Sequence, residues 1–156
     1  MKSKALIYTD GSCHTQLCVG AWAAIILVDD KKITLSGKEF DTTHNRMEIL
    51  AVIHSILHVK NNFNETKSIH IVSDSQYVVG LMGRRSKFIA GKFQTKSGND
   101  IRNKDLVKEF FDLVSVMDVR FEKIKAHQKA TEVINYNIEA DKICRQLVRE
   151  SVKERM

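Results

Sequence analysis

A hairpin near the start of the chain constrains the fold more than any other feature. Gly20 to Val28 is a strand-length apolar run, Lys31 to Phe40 reads as a second strand, and only Asp29-Asp30 separates them. A two-residue connection joins antiparallel neighbours and is too short to cross a sheet. Lys4 to Thr9 reads as another strand upstream. The pattern then turns helical from Asn45 to Lys60, where Met47, Leu50, Ile53 and Leu57 recur at spacings of three and four. Ser68 to Ser73 alternates as a strand through Ile69 and Ile71, and Ser75 to Met82 reads as a short helix. Lys104 to Val114 is helical, with Leu106, Val107, Phe110 and Val114 on one side, and Val116 to Lys125 is a fifth strand. A last helix starts at about Asn135 and turns Ile143, Leu147 and Ser151 inward. Strands joined by tight turns pair antiparallel, and strands joined through helices pair parallel. The order therefore implies an α/β fold: a five-stranded mixed sheet, three antiparallel strands then two parallel ones, flanked by helices.

With 156 residues, 43% of them hydrophobic, residues 1–156 are expected to form one domain around one core. No apolar run approaches the roughly 20 residues that a membrane span requires, and the longest, Ala21 to Val28, is strand-sized. Met1-Lys2-Ser3-Lys4 leads directly into a strand pattern, so no signal peptide is expected. Cys13, Cys18 and Cys144 make an odd count without secretory features, which points to reduced thiols and the cytoplasm. Cys13 and Cys18 lack the partner residues of a zinc site.

The net charge is +6, and its placement carries more information than its size. Between Arg84 and Lys104 the chain has Arg84, Arg85, Lys87, Lys92, Lys96, Arg102 and Lys104 against Asp100 alone, and elsewhere acids and bases balance. Such a concentrated patch is the footprint of a phosphate-backbone binder, although a solvated charged loop would look the same.

Four acids fall where an α/β sheet gathers its ligands. Asp10 ends the first strand, Glu48 is expected in the first turn of the long helix, Asp74 follows the Ser68–Ser73 strand, and Asp141 lies early in the last helix. Brought together, they would repel one another unless cations joined them, and hard oxygen donors suit Mg²⁺ or Mn²⁺. Singly, each has an ordinary explanation. Asp10-Gly11 is a turn dipeptide, Glu48 complements a helix dipole, Asp74 is placed to cap a helix, and Asp141 can pair with Lys142 or Arg145 on the surface.

The local contexts of these acids resemble the type 1 ribonuclease H family. Tyr8-Thr9-Asp10-Gly11-Ser12-Cys13 resembles its first motif, and Thr42-Thr43-His44-Asn45-Arg46-Met47-Glu48 its second. Ser73-Asp74-Ser75-Gln76-Tyr77-Val78 resembles the third, and Asn137-Ile138-Glu139-Ala140-Asp141 the last, with His127 on the loop before it. The motifs stand in family order across nearly the whole chain. The resemblance implies an RNase H-like fold and endonucleolytic hydrolysis of the RNA strand of RNA–DNA hybrids, leaving 5′-phosphate and 3′-hydroxyl ends. It also implies that Asp10, Glu48, Asp74 and Asp141 hold two Mg²⁺ ions, with Mn²⁺ as the alternative, and that His127 assists proton transfer or product departure. Cys13 (through its backbone), Asn45 and Gln76 would read the 2′-hydroxyl, which distinguishes RNA from DNA. Thr43 and Asn103 would hold a phosphate of the DNA strand, and the basic stretch, through Arg84, Arg85 and Lys87, would grip that strand. The protein would act as a cytoplasmic monomer without a membrane partner.

The sequence departs from the family pattern in several places. Cys13 to Gly20 replaces a Gly- and Pro-rich loop, and His44 stands where asparagine is usual. The basic stretch contains Phe88 and Phe93 but no tryptophan. His127 is flanked by Ala126 and Gln128 instead of glycines, and Ile138 replaces a frequent glutamate. Two other functions fit the same residues: a nuclease of this fold acting on another nucleic acid such as duplex DNA, and a noncatalytic nucleic-acid-binding module.

Overall fold

The computed structural model describes residues 3–125 and 136–155. The chain runs β1 (Ser3–His14), β2 (Val19–Val28), β3 (Lys31–Phe40), α1 (His44–Asn62), β4 (Thr66–Ser73), α2 (Gln76–Ala90), α3 (Lys104–Val116), β5 (Asp118–Lys123) and α4 (Tyr136–Arg155). The five strands form one sheet in the order β3-β2-β1-β4-β5. β1–β2 and β2–β3 are antiparallel, and β1–β4 and β4–β5 are parallel, as the hairpin and the helical connections require. Asp29 and Asp30 both take positive φ, 50° and 62°, which turns the β2–β3 connection with the right-handed strand twist.

Both faces of the sheet are covered. On one side Ile7, Ala24, Ile26, Ile69 and Ile71 pack against Ile49, Val52, Ile53 and Ile56 of α1 and Phe110 of α3. On the other, Ala21, Ala23 and Ile25 of β2 pack against Ala140, Cys144 and Val148 of α4. Alternate residues of β2 thus enter different cores, which is why its sequence is apolar without interruption. The buried stripe of α4 centres on Ala140, Cys144, Val148 and Ser151, and the expected Ile143 and Leu147 flank it. Small side chains at the centre let the helix approach the alanines of β2.

Several boundaries differ from those that the sequence suggests. β1 does not stop at Thr9 but continues through Asp10 to His14, paired with β2 as far as His14↔Val19. The segment from Cys13 to Gly20 is therefore a hairpin end, with Cys13, His14, Val19 and Gly20 in the strands and a four-residue turn from Thr15 to Cys18, where Cys18 has φ 54°. α2 does not end at Met82 but runs to Ala90, so Arg84, Arg85 and Lys87 are helical. Gly80 and Gly83 disguise this continuation in the sequence, because glycine weakens a helix interior. β5 begins at Asp118, since α3 persists to Val116. Among the described residues no helix is long and apolar enough to cross a membrane.

Candidate active site

The site forms where the central strands part. β1 and β4 run parallel until Thr9↔Ser73, where β4 ends and β1 continues against β2 alone. Asp10 and Asp74 are the next residue of each strand's chain, so they emerge side by side at the carboxyl edge of the parallel pair. Asp74 does not cap the following helix. Ser75 does, accepting a hydrogen bond from the Val78 N–H at 3.2 Å, and Asp74 remains facing the cleft.

Glu48 reaches the same place from α1. Thr43 caps that helix by accepting from the Arg46 N–H at 3.3 Å, so Glu48 stands in its second turn and not in the first turn that the sequence suggests, because the helix begins at His44. The helix lies so close to β1 that a Cβ on Gly11 would come within 2.7 Å of the Glu48 nitrogen and the Met47 carbonyl carbon. Gly11 does not take positive φ, so Asp10-Gly11 is a close approach of two backbones and not a turn.

Asp10, Glu48 and Asp74 offer oxygens that all lie within 4.8 Å of one another. Asp10 is 3% exposed and Glu48 2%. Burial, then repulsion from Glu48 and Asp74 and a hydrogen bond with Asp141, push the Asp10 carboxyl up to about 9. Burial also raises Glu48, against the opposing pull of His44, whose Nε2 is 2.9 Å from Glu48 Oε1. The other oxygen, Glu48 Oε2, is buried without a hydrogen-bond partner. Asp141 approaches from α4 and pairs with Arg145 at 3.1 Å. All four acids line one cleft of about 350 Å³, together with His44, Asn45 and Gln76.

A second concavity of about 720 Å³ adjoins it, between the end of α2 and the start of α3. Arg84, Lys87, Lys96 and Arg102 surround an apolar floor of Phe88, Ile101 and Val107, and Asn45, Tyr77 and Asn103 stand at its edge. Arg84 lies over the Phe88 ring, 4.6 Å from its centroid.

The matching family model is RNase H, and the match runs over residues 2–149. The chain is 32% identical over 151 residues to the ribonuclease H of Prosthecochloris aestuarii, covering 96% of this chain and 98% of that one. It is 33% identical over 148 residues to the ribonuclease H of Wolbachia pipientis wMel, covering 94% and 97%. The chain belongs to the RNase H family. Its fold also matches the crystal structure of LC9-RNase H1, described as a type 1 RNase H with the type 2 active-site motif. That match has a TM-score of 0.80 and 20% identity, over 96% of this chain and 74% of that one.

Of the residues expected to act in this RNase H family chain, Asp10, Glu48, Asp74, Asp141, Asn45 and Gln76 meet in one cleft. Arg84, Lys87 and Asn103 meet in the adjoining groove. Arg85 does not line the groove; its guanidinium lies 6.0 Å from the ring of Phe111. Cys13 lies further along β1, outside the cleft lining, with its thiol 3.7 Å from the Thr42 carbonyl oxygen. His127 lies outside the described residues. Cys13, Cys18 and Cys144 are free thiols. The cluster suits a divalent cation: crowded hard oxygens, one of them buried without a partner, and acids whose protons are retained because burial, and then mutual repulsion, disfavours their charged forms. Arg145, in sequence an ordinary surface partner for Asp141, also lines the cleft, and its spacing of four from Asp141 on a helix is the signal that places the two together. Tyr77, Lys96 and Arg102 also line the groove, and for the two cations the signal in the sequence is the clustering of charge from Arg84 to Lys104.

Proposed function

We propose that this chain is a single-domain, monomeric, cytoplasmic endonuclease that hydrolyses the RNA strand of RNA–DNA hybrids, leaving 5′-phosphate and 3′-hydroxyl ends. The observation that carries this reading is the triad of carboxylates within 4.8 Å, one with an unpartnered buried oxygen, opening beside a groove ringed by cations. Asp10, Glu48, Asp74 and Asp141 would hold two Mg²⁺ ions, or Mn²⁺. Bound there, divalent ions supply the positive charge that activates water and stabilises the leaving oxygen of a phosphodiester.

The chain's own residues do the rest. The burial of Asp10 and Glu48 keeps the acids fixed and excludes bulk water from one side of the site. His44 holds one oxygen of Glu48, and the other is buried without a hydrogen-bond partner. Asn45 and Gln76 line the cleft beside the acids, where a 2′-hydroxyl of the bound RNA would meet a carboxamide that both donates and accepts. Cys13 would add a backbone contact further along β1. Arg84 and Lys87, with Arg85 more remote, would receive the phosphates of the DNA strand. His127 would pass the proton to the leaving group or speed product departure, a role that imidazole chemistry suits.

The test uses labelled RNA–DNA hybrid, duplex RNA and duplex DNA, each with Mg²⁺ or with chelator. Mg²⁺-dependent cutting of RNA in the hybrid alone supports the reading. Cutting of duplex DNA would replace it with another nuclease activity, and binding without cutting would replace it with a binding module.

A further inference from the structure

The cleft and the groove share Asn45 and Tyr77, and the Asn103 carboxamide is bonded to that border. Asn103 occupies the N-cap position of α3 with a left-handed backbone, φ 59° and ψ 30°. Asparagine tolerates that conformation better than most residues, but an N-cap ordinarily has extended backbone and bonds its side chain to its own helix. Asn103 makes no such capping bond. Its amide is held elsewhere. Arg46 Nη1 donates to Asn103 Oδ1 at 3.3 Å, and Asn103 Nδ2 donates to the Tyr77 hydroxyl at 3.3 Å. Arg46 is itself locked by a two-point pair with Asp105, Nη1 to Oδ1 at 3.1 Å and Nη2 to Oδ2 at 3.0 Å. The same arginine donates its backbone N–H to the Thr43 hydroxyl.

These bonds span α1, α2 and α3. Arg46 lies in the first turn of α1, Tyr77 near the start of α2, and Asp105 in the first turn of α3. Tyr77 lines both the acidic cleft and the basic groove, and Asn103 lines the groove. A planar guanidinium that grips a carboxylate with two parallel bonds has little freedom left, so the third acceptor it touches is fixed with it.

We propose that Arg46 is a positioning residue for the nucleic acid: braced by Asp105, it fixes the Asn103 carboxamide against Tyr77 so that the remaining Nδ2 hydrogen faces the groove and binds a phosphate oxygen. This rests on the hybrid-cutting reading and assigns to Arg46 no direct phosphate contact. Asp105 already neutralises Arg46, which distinguishes it from Arg84 and Lys87. The brace sets the spacing between the strand held at the acids and the strand held in the groove.

The test compares Arg46→Gln, Asp105→Asn and Asn103→Gly, singly and combined, by hybrid binding at several salt concentrations and by steady-state cleavage. Asn103→Gly keeps the left-handed backbone and removes the amide. Arg46→Gln is expected to raise KM and Kd about tenfold, the loss of a charge-assisted hydrogen bond, with kcat within a factor of about two. Asp105→Asn should follow it in direction. The slope of log Kd against log salt should stay at the wild-type value, and Arg46→Gln should add nothing in the Asn103→Gly background. A general loss of structure would lower kcat and the melting temperature together and would not vanish in that background. Additive effects, or a salt slope reduced by about one as for a direct phosphate contact, would overturn the proposal. If Arg46→Gln does not fold, the Asp105→Asn and Asn103→Gly pair makes the same comparison. A wild-type protein that fails to bind the hybrid would instead overturn the functional reading, and this inference with it.

Discussion

The carboxylate cleft and the basic groove share Asn45 and Tyr77 at their border, yet they hold charge in opposite ways. In the cleft, Asp10 and Glu48 are buried and fixed by backbone: the parting of β1 from β4, and α1 pressed onto Gly11. In the groove, Arg84, Lys87, Lys96 and Arg102 reach from the last turns of α2 and from the loop behind it, and all remain solvated at least in part. Buried like charges are unfavourable without a counter-ion, whereas solvated cations carry little penalty. The cleft is therefore built for a partner of high charge density held at fixed distances. The solvated cations of the groove suit a diffuse polyanion, and the braced Asn103 carboxamide is the polar group held rigidly there.

That contrast is most sharply broken at Asp10. Asp10→Asn should lower the cleavage rate by at least about a thousandfold while leaving hybrid affinity near wild type, as expected when a group acts in the reaction more than in binding. Single-turnover cleavage and equilibrium binding measured on the same preparation would show it. Next in size is Gly11→Ala. The new methyl meets backbone at 2.7 Å, so the cost should be about 2 kcal/mol in denaturant unfolding, with weaker Mg²⁺ binding because Glu48 is displaced.

The groove should respond more mildly. Arg84→Gln with Lys87→Gln should weaken hybrid binding about tenfold at moderate salt and flatten the salt dependence by about one unit per residue. Arg85→Gln, at a side chain turned towards Phe111, should do less. kcat should hardly move. The smallest effect has the opposite sign. Gly80 lies in α2 with nothing near its Cβ position, so Gly80→Ala should stabilise the protein by about 0.5–1 kcal/mol in the same unfolding assay.

The two regions also differed in how far the sequence revealed them. The four acids were legible because each sits in a short local motif beside a recognisable strand or helix. The extension of β1 through Asp10 was not, since Asp-Gly reads as a turn unless one knows that α1 presses on Gly11. The extent of α2 was hidden by Gly80 and Gly83 and by a run of charge that resembles a loop. Tertiary packing resolves it: Val78 and Leu81 are buried, and Phe88 packs against Phe111. Arg85 could not be separated from Arg84 and Lys87 by composition alone. The Arg46–Asp105 pair bridges two helices and 59 positions of sequence, a separation at which no spacing rule operates.

The central claim is that the buried acids form a cation site, and melting temperature against pH tests it most directly, measured with and without Mg²⁺ for wild type and Asp10→Asn. Asp10 is raised from 3.8 to about 9 in the folded protein, and Glu48 is raised as well. The folded state then binds more protons than the unfolded one across that window, so metal-free stability should fall as pH rises from about 4 to about 9. Mg²⁺ should restore it, by more at pH 8 than at pH 6, because the ion replaces protons that the acids otherwise hold. Asp10→Asn should flatten the pH dependence and remove most of the Mg²⁺ effect. A wild-type melting temperature that Mg²⁺ leaves unmoved at pH 8, with a pH dependence the same as that of Asp10→Asn, would contradict the account.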